Sequence, residues 1–148
     1  MNAATPLPPK PVADRDTQAF WDGVAEHRLL VQRCRECARW IWQPRPICPD
    51  CHASDVDWTE VNGDARVVSW TALHPPVLTV WQDKLPFVLL LVELKDAPGV
   101  RMVGQLVDNQ GVLLQTDGAA EGVDFEAPLH LRWRVDEAGQ IIPAWTVS

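Results

Sequence analysis

The chain has 148 residues, a formal net charge of -7 at pH 7 and hydrophobic side chains at 47% of its positions. This length allows either one sizeable hydrophobic core or a small hydrophobic core beside a module that a metal ion stabilises. We expect the second arrangement. The acidic balance disfavours nonspecific nucleic-acid binding, which needs clustered cations. No run approaches the roughly 20 apolar residues of a membrane span, so we predict a cytoplasmic protein with no membrane partner.

The N-terminal segment is rich in proline and lacks an apolar stretch of signal-peptide length. We interpret residues 1–15 as a flexible, polyproline-like arm. An Asp-Thr pair, favourable at a helix N-cap, follows this arm and precedes Phe20, Trp21 and Val24. The spacing of these apolar residues predicts a short helix that ends near His27.

All four cysteines of the chain form two Cys-x-x-Cys pairs with ten residues between them. Four thiolates can surround one tetrahedral zinc ion, and such a closed site leaves no position for water or substrate. A redox role is disfavoured because it needs a Cys-x-x-Cys at the start of a helix. His52 follows the last cysteine and is interpreted as a turn residue. The predicted ligands of a structural zinc ion are Cys34, Cys37, Cys48 and Cys51.

The segment around the cysteines has strand-like and basic character. Residues 29–32 are predicted to lead as a strand into the first knuckle, and residues 39–43 to form a hairpin. Between residues 28 and 45 there are five arginines and a single acidic residue, Glu36. Two interpretations stay open: the arginines bind an anionic ligand, or they form a solvated face with internal ion pairs.

The second half of the chain has a sequence pattern typical of β-strands, since Val, Leu and Trp occur in short runs between turn signals. Five short antiparallel strands favour a small barrel, and the OB-fold is the commonest five-stranded barrel. We expect this barrel to fold without the ribbon, as a chain that begins at Val56. The predicted strands are 65–71, 87–94, 101–107, 129–135 and 141–145.

The predicted fold class is therefore mainly β: an N-terminal helix and a zinc ribbon, followed by a five-stranded OB-fold barrel. The predicted domain division is a Pro-rich arm at 1–15, the helix and ribbon at 16–60, and the OB-fold domain at 61–148.

The chain has eight tryptophans and no tyrosine. Trp70, Trp133 and Trp145 lie on predicted strands, where packing in the core is favoured. Trp40 and Trp42 lie on a thin ribbon, so a partner interface and packing are equally open there. With Trp21 of the helix, these two form the predicted partner interface.

No catalytic constellation is evident. The four histidines occur in no motif with a nucleophile and a carboxylate, and the cysteines are assigned to the metal. Neither a nucleophile elbow nor a phosphate-binding glycine loop is present. The residues alone predict a binding or assembly subunit that is not catalytic by itself. A nucleic-acid module is the alternative, because zinc ribbons and OB barrels both bind nucleic acids elsewhere.

Several motifs together resemble the zinc-ribbon/OB-fold family associated with acyl-CoA metabolism, long catalogued as a domain of unknown function. They are LLVQRC at 29–34, PRPICPDC at 44–51, VVSWT at 67–71 and IPAW at 142–145. The resemblance implies a rubredoxin-like ribbon that binds zinc through the four cysteines. It also implies a hetero-oligomer in which the chain docks on a thiolase-like partner, and the catalytic residues lie in that partner.

Acyl-CoA is the ligand that the resemblance implies, with coenzyme A phosphates meeting Arg33, Arg39 and Arg45. The implied complex is a retro-aldolase (lyase) of steroid side-chain degradation, or a thiolase or acyltransferase. The chain departs from the family at Ala38 and His52, where glycine usually follows the second cysteine of each pair. Because glycine adopts positive φ at no steric cost, Ala38 is expected to add strain of ~1 kcal/mol or to adopt a different turn.

Overall fold

The computed structural model describes residues 6–147, so the first five residues of the predicted arm and the last residue of the chain lie outside its description. The fold is mainly β, with an N-terminal helix and a ribbon sheet before a five-stranded sheet, which confirms the predicted fold class. In chain order the elements are α1 (Gln18–Ala25), β1 (Leu29–Cys34), β2 (Trp40–Ile41), β3 (Val56–Val61), β4 (Ala65–Leu73), α2 (Thr79–Gln82), β5 (Phe87–Leu94), β6 (Arg101–Gln105), β7 (Pro128–Val135) and β8 (Ile141–Val147).

Helix α1 begins and ends where local hydrogen bonding requires it. The carboxylate of Asp14 accepts hydrogen bonds from the backbone N–H of Thr17 at 2.8 Å and from the Thr17 hydroxyl at 2.7 Å. At the other end, His27 adopts a φ of 58° and donates its N–H to the carbonyl of Val24. A left-handed residue at this position stops a helix, so the predicted end near His27 is confirmed.

The ribbon sheet has the order β2-β1-β3, and β3 pairs with β1 along its whole length. The sequence does not predict β3, because this segment contains acidic residues and is interpreted as a domain boundary. Those acidic side chains pair across the strands instead: Arg28 lies 2.9 Å from Glu60, and Arg35 lies 3.0 Å from Asp57. Cross-strand pairs of opposite charge stabilise a sheet, so tertiary context makes β3 a strand.

The larger sheet is antiparallel with the order β6-β5-β4-β7-β8, and it contains all five predicted strands. A bridge between Leu106 and Trp145 brings its two ends together, as the predicted barrel requires. Trp145 is fully buried, and its indole N–H donates to the carbonyl of Gly63 at 2.9 Å. Gly104 permits this packing, because a Cβ there would lie 2.4 Å from the Trp145 ring.

The main hydrophobic core is shared between the N-terminal segment and the barrel. Phe20 and Val24 of α1, with Leu29 and Val31 of β1, belong to the same buried cluster as Trp145. A second, small cluster of buried residues surrounds the cysteines of the ribbon. A barrel without the helix and ribbon would lack part of this core, so we predict that its folding depends on them. Within residues 6–147, the tip of the ribbon has a small core of its own.

The tryptophans predicted for the core differ in burial. Trp145 is fully buried, which confirms that prediction, whereas Trp70 and Trp133 are only half-buried. The Trp70 ring packs 5.0 Å from Phe125, and the Trp133 ring lies 5.6 Å from His27. Both lie where one face of a barrel strand is turned towards solvent, so strand position alone did not decide their burial.

No helix within residues 6–147 is long and apolar enough to cross a membrane.

Candidate metal centre and aromatic groove

The fold brings the four cysteines together at the tip of the ribbon. Their Sγ atoms all lie within 4.8 Å of one another. The Sγ atoms of Cys34 and Cys51 are 3.5 Å apart, and those of Cys37 and Cys48 are 3.6 Å apart. Four thiolates around one ion at Zn–S bonds of about 2.3 Å require S···S separations of about 3.8 Å. The residues therefore fit one tetrahedral zinc ion, which the four sulfurs would hold with no open coordination position.

The two knuckles have the same backbone construction. The N–H of Cys34 donates to the carbonyl of Arg39, and the N–H of Cys48 donates to the carbonyl of Ala53, both at 2.9 Å. The residue after the second cysteine of each pair is left-handed, with a φ of 61° at Ala38 and at His52. His52 is exposed and lies outside the cluster of metal-binding groups, in agreement with its interpretation as a turn residue.

Backbone amides, burial and neighbouring thiols shift the pKa values of Cys48 and Cys37 in opposite directions. The N–H of Cys51, followed by that of Asp50, lowers the pKa of Cys48 to about 7. The N–H of Arg39 lowers the pKa of Cys37, but desolvation and the other thiols outweigh it and raise that pKa to about 12. Four adjacent thiols cannot all ionise without a cation between them, which is the electrostatic condition that zinc satisfies.

The conformation of Ala38 gives a testable prediction. A left-handed conformation costs an L-residue roughly 1–2 kcal/mol, and glycine avoids that cost but gains entropy in the unfolded chain. We expect Ala38→Gly to raise the free energy of unfolding of the zinc-loaded protein by up to ~1 kcal/mol, measured in denaturant. The matched control is Ala119→Gly, at an exposed position outside the positive-φ set, which should lower it by about 0.4–1 kcal/mol. Equal effects of the two substitutions would contradict the prediction.

Most of the ribbon arginines are paired with carboxylates. Arg39 forms an ion pair with Asp50, which raises the pKa of that arginine. Arg35 contacts Asp55 and Asp57, and Arg28 contacts two glutamates. Internal ion pairs thus explain three of the five arginines. This was one of the two open interpretations of the basic segment.

Arg33 and Arg45 differ from the others, because neither forms an ion pair within residues 6–147. The guanidinium of Arg33 lies 4.9 Å from the centroid of Trp40 and donates to the carbonyl of Ala38 at 3.1 Å. Arg45 donates its backbone N–H to the buried Gln32 side chain at 2.8 Å. The side chains of these two arginines keep their capacity to bind an anion.

An apolar groove lies between the N-terminal segment and the barrel. Phe20 packs with its ring centroid 5.1 Å from those of Trp21 and Trp42. These three side chains line one wall of a cavity of about 310 Å³, and Met102, Gly104 and Pro143 of the barrel line the opposite wall. Two of the three predicted interface tryptophans thus meet at one site, while Trp40 stacks on Arg33 outside it.

Sequence reasoning missed the barrel side of this groove. Met102, Gly104 and Leu106 alternate along one face of a strand, but this pattern gives no indication that the face meets the helix. Nothing in the sequence indicates the contact between His130 and Asp64, either. The Nδ1 atom of His130 lies 2.8 Å from Oδ1 of Asp64. Within residues 6–147, no Ser, Thr or Cys side chain forms a hydrogen bond with a histidine.

Comparisons with known proteins match both halves of the chain. The model of the ChsH2 rubredoxin-like zinc ribbon domain matches residues 21–57, and that of the ChsH2 C-terminal OB-fold domain matches residues 58–134. A solved structure called "Ltp2-ChsH2(DUF35) aldolase" superposes with a TM-score of 0.75 at 28% identity, covering 93% of this chain and 98% of that one.

Two curated relatives are named as subunits of hydratases. A "Probable enoyl-CoA hydratase alpha subunit" of Thermomonospora curvata is 32% identical over 127 residues, covering 86% of this chain and 36% of the relative. The "3-oxo-4,17-pregnadiene-20-carboxyl-CoA hydratase alpha subunit" of Mycobacterium tuberculosis is 31% identical over 136 residues, covering 86% of this chain and 40% of the relative. The chain thus spans about two fifths of the length of these relatives. The order of its domains, its cysteine cluster and these matches show that the chain belongs to the ChsH2 (DUF35) family of zinc-ribbon and OB-fold proteins.

Proposed function

We propose that this chain is a non-catalytic accessory subunit of an acyl-CoA-processing complex and docks on a thiolase-like enzyme. The observation that carries the proposal is the aromatic groove, in which Trp21 and Trp42 face the barrel beside the zinc ribbon. A half-buried tryptophan pair around an apolar cavity is the kind of site where hot-spot residues of a partner insert. The names of the relatives, two hydratase subunits and an aldolase complex, support assembly with an enzyme.

The assignment of catalysis to the partner rests on the side chains of this chain. The cysteine thiols converge on the metal site. His130 contacts the carboxylate of Asp64, but a base needs a nucleophile within reach as well. The reaction we propose for the complex is a retro-aldol cleavage of the type used on steroid side chains, with a thiolase or acyltransferase reaction as the alternative.

The proposed ligand of the complex is an acyl-CoA, whose phosphates Arg33 and Arg45 would contact. Hydrogen bonds from arginine to phosphate are charge-assisted and often bidentate. Arg39 belonged to the same predicted set, but its charge is already compensated by Asp50. We therefore rank Arg33 and Arg45 above Arg39 as phosphate contacts.

A nucleic-acid module is less consistent with these contacts. The chain carries a net charge of -7, and three of its five ribbon arginines are paired with carboxylates. A phosphate backbone needs a continuous set of free cations, whose counterion release drives the binding.

Docking is tested with the enzyme subunit that copurifies with this chain. We expect Trp42→Ala and Trp21→Ala each to raise the Kd between this chain and the enzyme subunit by at least about 30-fold. Truncating a hot-spot tryptophan commonly costs about 2 kcal/mol or more of binding free energy. Titration calorimetry with zinc-loaded protein measures the affinity. Leu78→Ala, at an exposed apolar position outside the groove, is the matched control and should bind as tightly as the unsubstituted chain. Unchanged affinity in both tryptophan variants would show that these side chains only pack.

Coenzyme A contact is tested in the assembled complex. We expect the double variant Arg33→Gln with Arg45→Gln to raise KM for the thioester more than it lowers kcat, because it removes binding that ground state and transition state share. Arg35→Gln is the matched control, since Arg35 is paired with two aspartates. An unchanged KM in the double variant would place the coenzyme on the partner alone.

A further inference from the structure

A second cavity, of about 420 Å³, opens on the barrel, and none of its lining residues belongs to the ribbon or to the aromatic groove. It lies between the turn after α2, the 110–115 loop and the hairpin that joins β7 to β8. This volume falls in the range of pockets that bind small molecules.

Specific contacts form the walls of this cavity. The side-chain amide of Gln115 donates to the carbonyl of Asp83 at 2.8 Å and fixes the loop against the turn after α2. Gly111, with a φ of 83°, lets the loop approach β7, because a Cβ there would lie 2.5 Å from the carbonyl of Trp133. Asp108 accepts hydrogen bonds from the backbone N–H groups of residues 110 and 112. The cavity is therefore part of the folded structure and needs no rearrangement to form.

The floor of the cavity carries a buried cation with an unused donor. Arg134 is only 4% exposed, and its Nη2 atom lies 3.2 Å from a carboxylate oxygen of Glu137. Its Nη1 atom is buried and has no hydrogen-bond partner within residues 6–147. An unpaired buried donor is costly, and a charged one more so, so the guanidinium of Arg134 gains free energy when it turns to meet an acceptor that enters the cavity.

A second cation lies beside the first. The ammonium of Lys84 is 3.6 Å from the same oxygen of Glu137 and 3.4 Å from a carboxylate oxygen of Asp83. It also donates to the carbonyl of Val80 at 2.9 Å. Lys84 is 19% exposed, whereas Asp83 is 81% exposed, so solvent screens the charge of Asp83 more strongly than that of Lys84. The two cations are thus more buried than the two carboxylates that pair with them, so an anion that enters the cavity is attracted.

The mouth of the cavity is apolar. Val112 and Val135 are each 60% exposed there, and the half-buried Leu113 and Trp133 lie on the walls. Exposed apolar side chains around a cationic floor complement a ligand that has an anionic head and an apolar body.

We propose that this cavity binds a small organic carboxylate. Its carboxylate group faces the ammonium of Lys84 and the guanidinium of Arg134, which turns to bring Nη1 to the ligand. Its apolar body lies against Val112, Val135 and Trp133. The site is independent of the proposed docking function, because the two cavities share no residue.

The test is a nuclear magnetic resonance titration of the full, zinc-loaded chain with 3-phenylpropanoate. We expect saturable shifts of the Gly111 and Val112 amides and of the Trp133 indole N–H. The neutral 3-phenylpropanamide and inorganic phosphate should each bind at least about tenfold more weakly, because the first lacks the charge and the second the apolar body. Absence of saturable shifts would overturn the proposal, and so would phosphate binding as tight as that of the carboxylate.

Variants locate the binding groups. We expect Arg134→Gln to weaken 3-phenylpropanoate binding by about tenfold or more, and Lys84→Gln by several-fold, as is typical for loss of a charge-assisted contact. Lys95→Gln, at an exposed position outside the cavity, is the control and should bind normally. Val112→Asp covers the case in which the Arg134 variant fails to fold, since a carboxylate at this exposed position should repel the ligand. Unchanged binding in both the Lys84 and the Val112 variants would overturn the assignment.

Discussion

Cys48→Ser is expected to abolish stoichiometric zinc binding and to unfold the ribbon. Cys48 is fully buried and lies at the centre of the small core formed with Cys34 and Ile41, so a serine leaves both the metal and the packing incomplete. Structural zinc in small modules contributes ~10 kcal/mol or more of apparent binding free energy. Elemental analysis should find one zinc ion per unsubstituted chain and none in the variant, and circular dichroism should report the lost structure.

His52→Asn is the matched control for this zinc prediction. Asparagine tolerates the left-handed conformation that His52 adopts, and the side chain lies outside the cysteine cluster, so zinc should be retained in full. Reduced protein without stoichiometric metal, or a disulfide between Cys34 and Cys51, would contradict the assignment.

A chain that begins at Val56 is expected not to fold cooperatively. It lacks Phe20, Val24, Leu29 and Val31, all buried in the core that the barrel shares with the N-terminal segment. Burial of these four side chains stabilises the fold by about 6 to 12 kcal/mol, at about 1.5–3 kcal/mol for each. That is comparable to the roughly 5–15 kcal/mol that separates folded from unfolded domains, and β3 loses its pairing with β1 as well.

The control for this truncation is a chain that begins at Ala13. It keeps α1 and the hydrogen bonds between Asp14 and Thr17, so its melting temperature should stay within a few degrees of the full chain's. Thermal melting followed by circular dichroism compares the two. A cooperative β-type transition in the chain from Val56 would show that the barrel is autonomous after all.

Local sequence information was sufficient for the metal site and for most strands. The two Cys-x-x-Cys pairs and the left-handed positions at Ala38 and His52 are properties of short turns, so the spacing of a few residues specifies them. The five barrel strands follow from runs of β-branched and apolar residues between turn signals, which are also local. The family resemblance rested on the same short motifs.

Pairing between distant residues was not accessible in this way. β3 looks polar in isolation, and it becomes a strand because its acidic side chains meet the arginines that flank β1, Arg28 and Arg35. The same pairing neutralises most of the basic segment and leaves Arg33 and Arg45 as its free cations within residues 6–147. Charge counted along the chain cannot distinguish a paired arginine from a free one, because its partner is distant in sequence.

The sequence by itself determined the ligand set for zinc, the β character of the second half and the order of the domains, because each depends on contacts within a turn or a strand. Only the tertiary structure decided that helix and barrel share one core, that Trp21 and Trp42 face a common groove, and that Arg134 is buried with a donor that has no partner among residues 6–147. Each of these depends on which surfaces meet when separate elements pack. That is a property of the whole chain's packing, which no short window of residues contains.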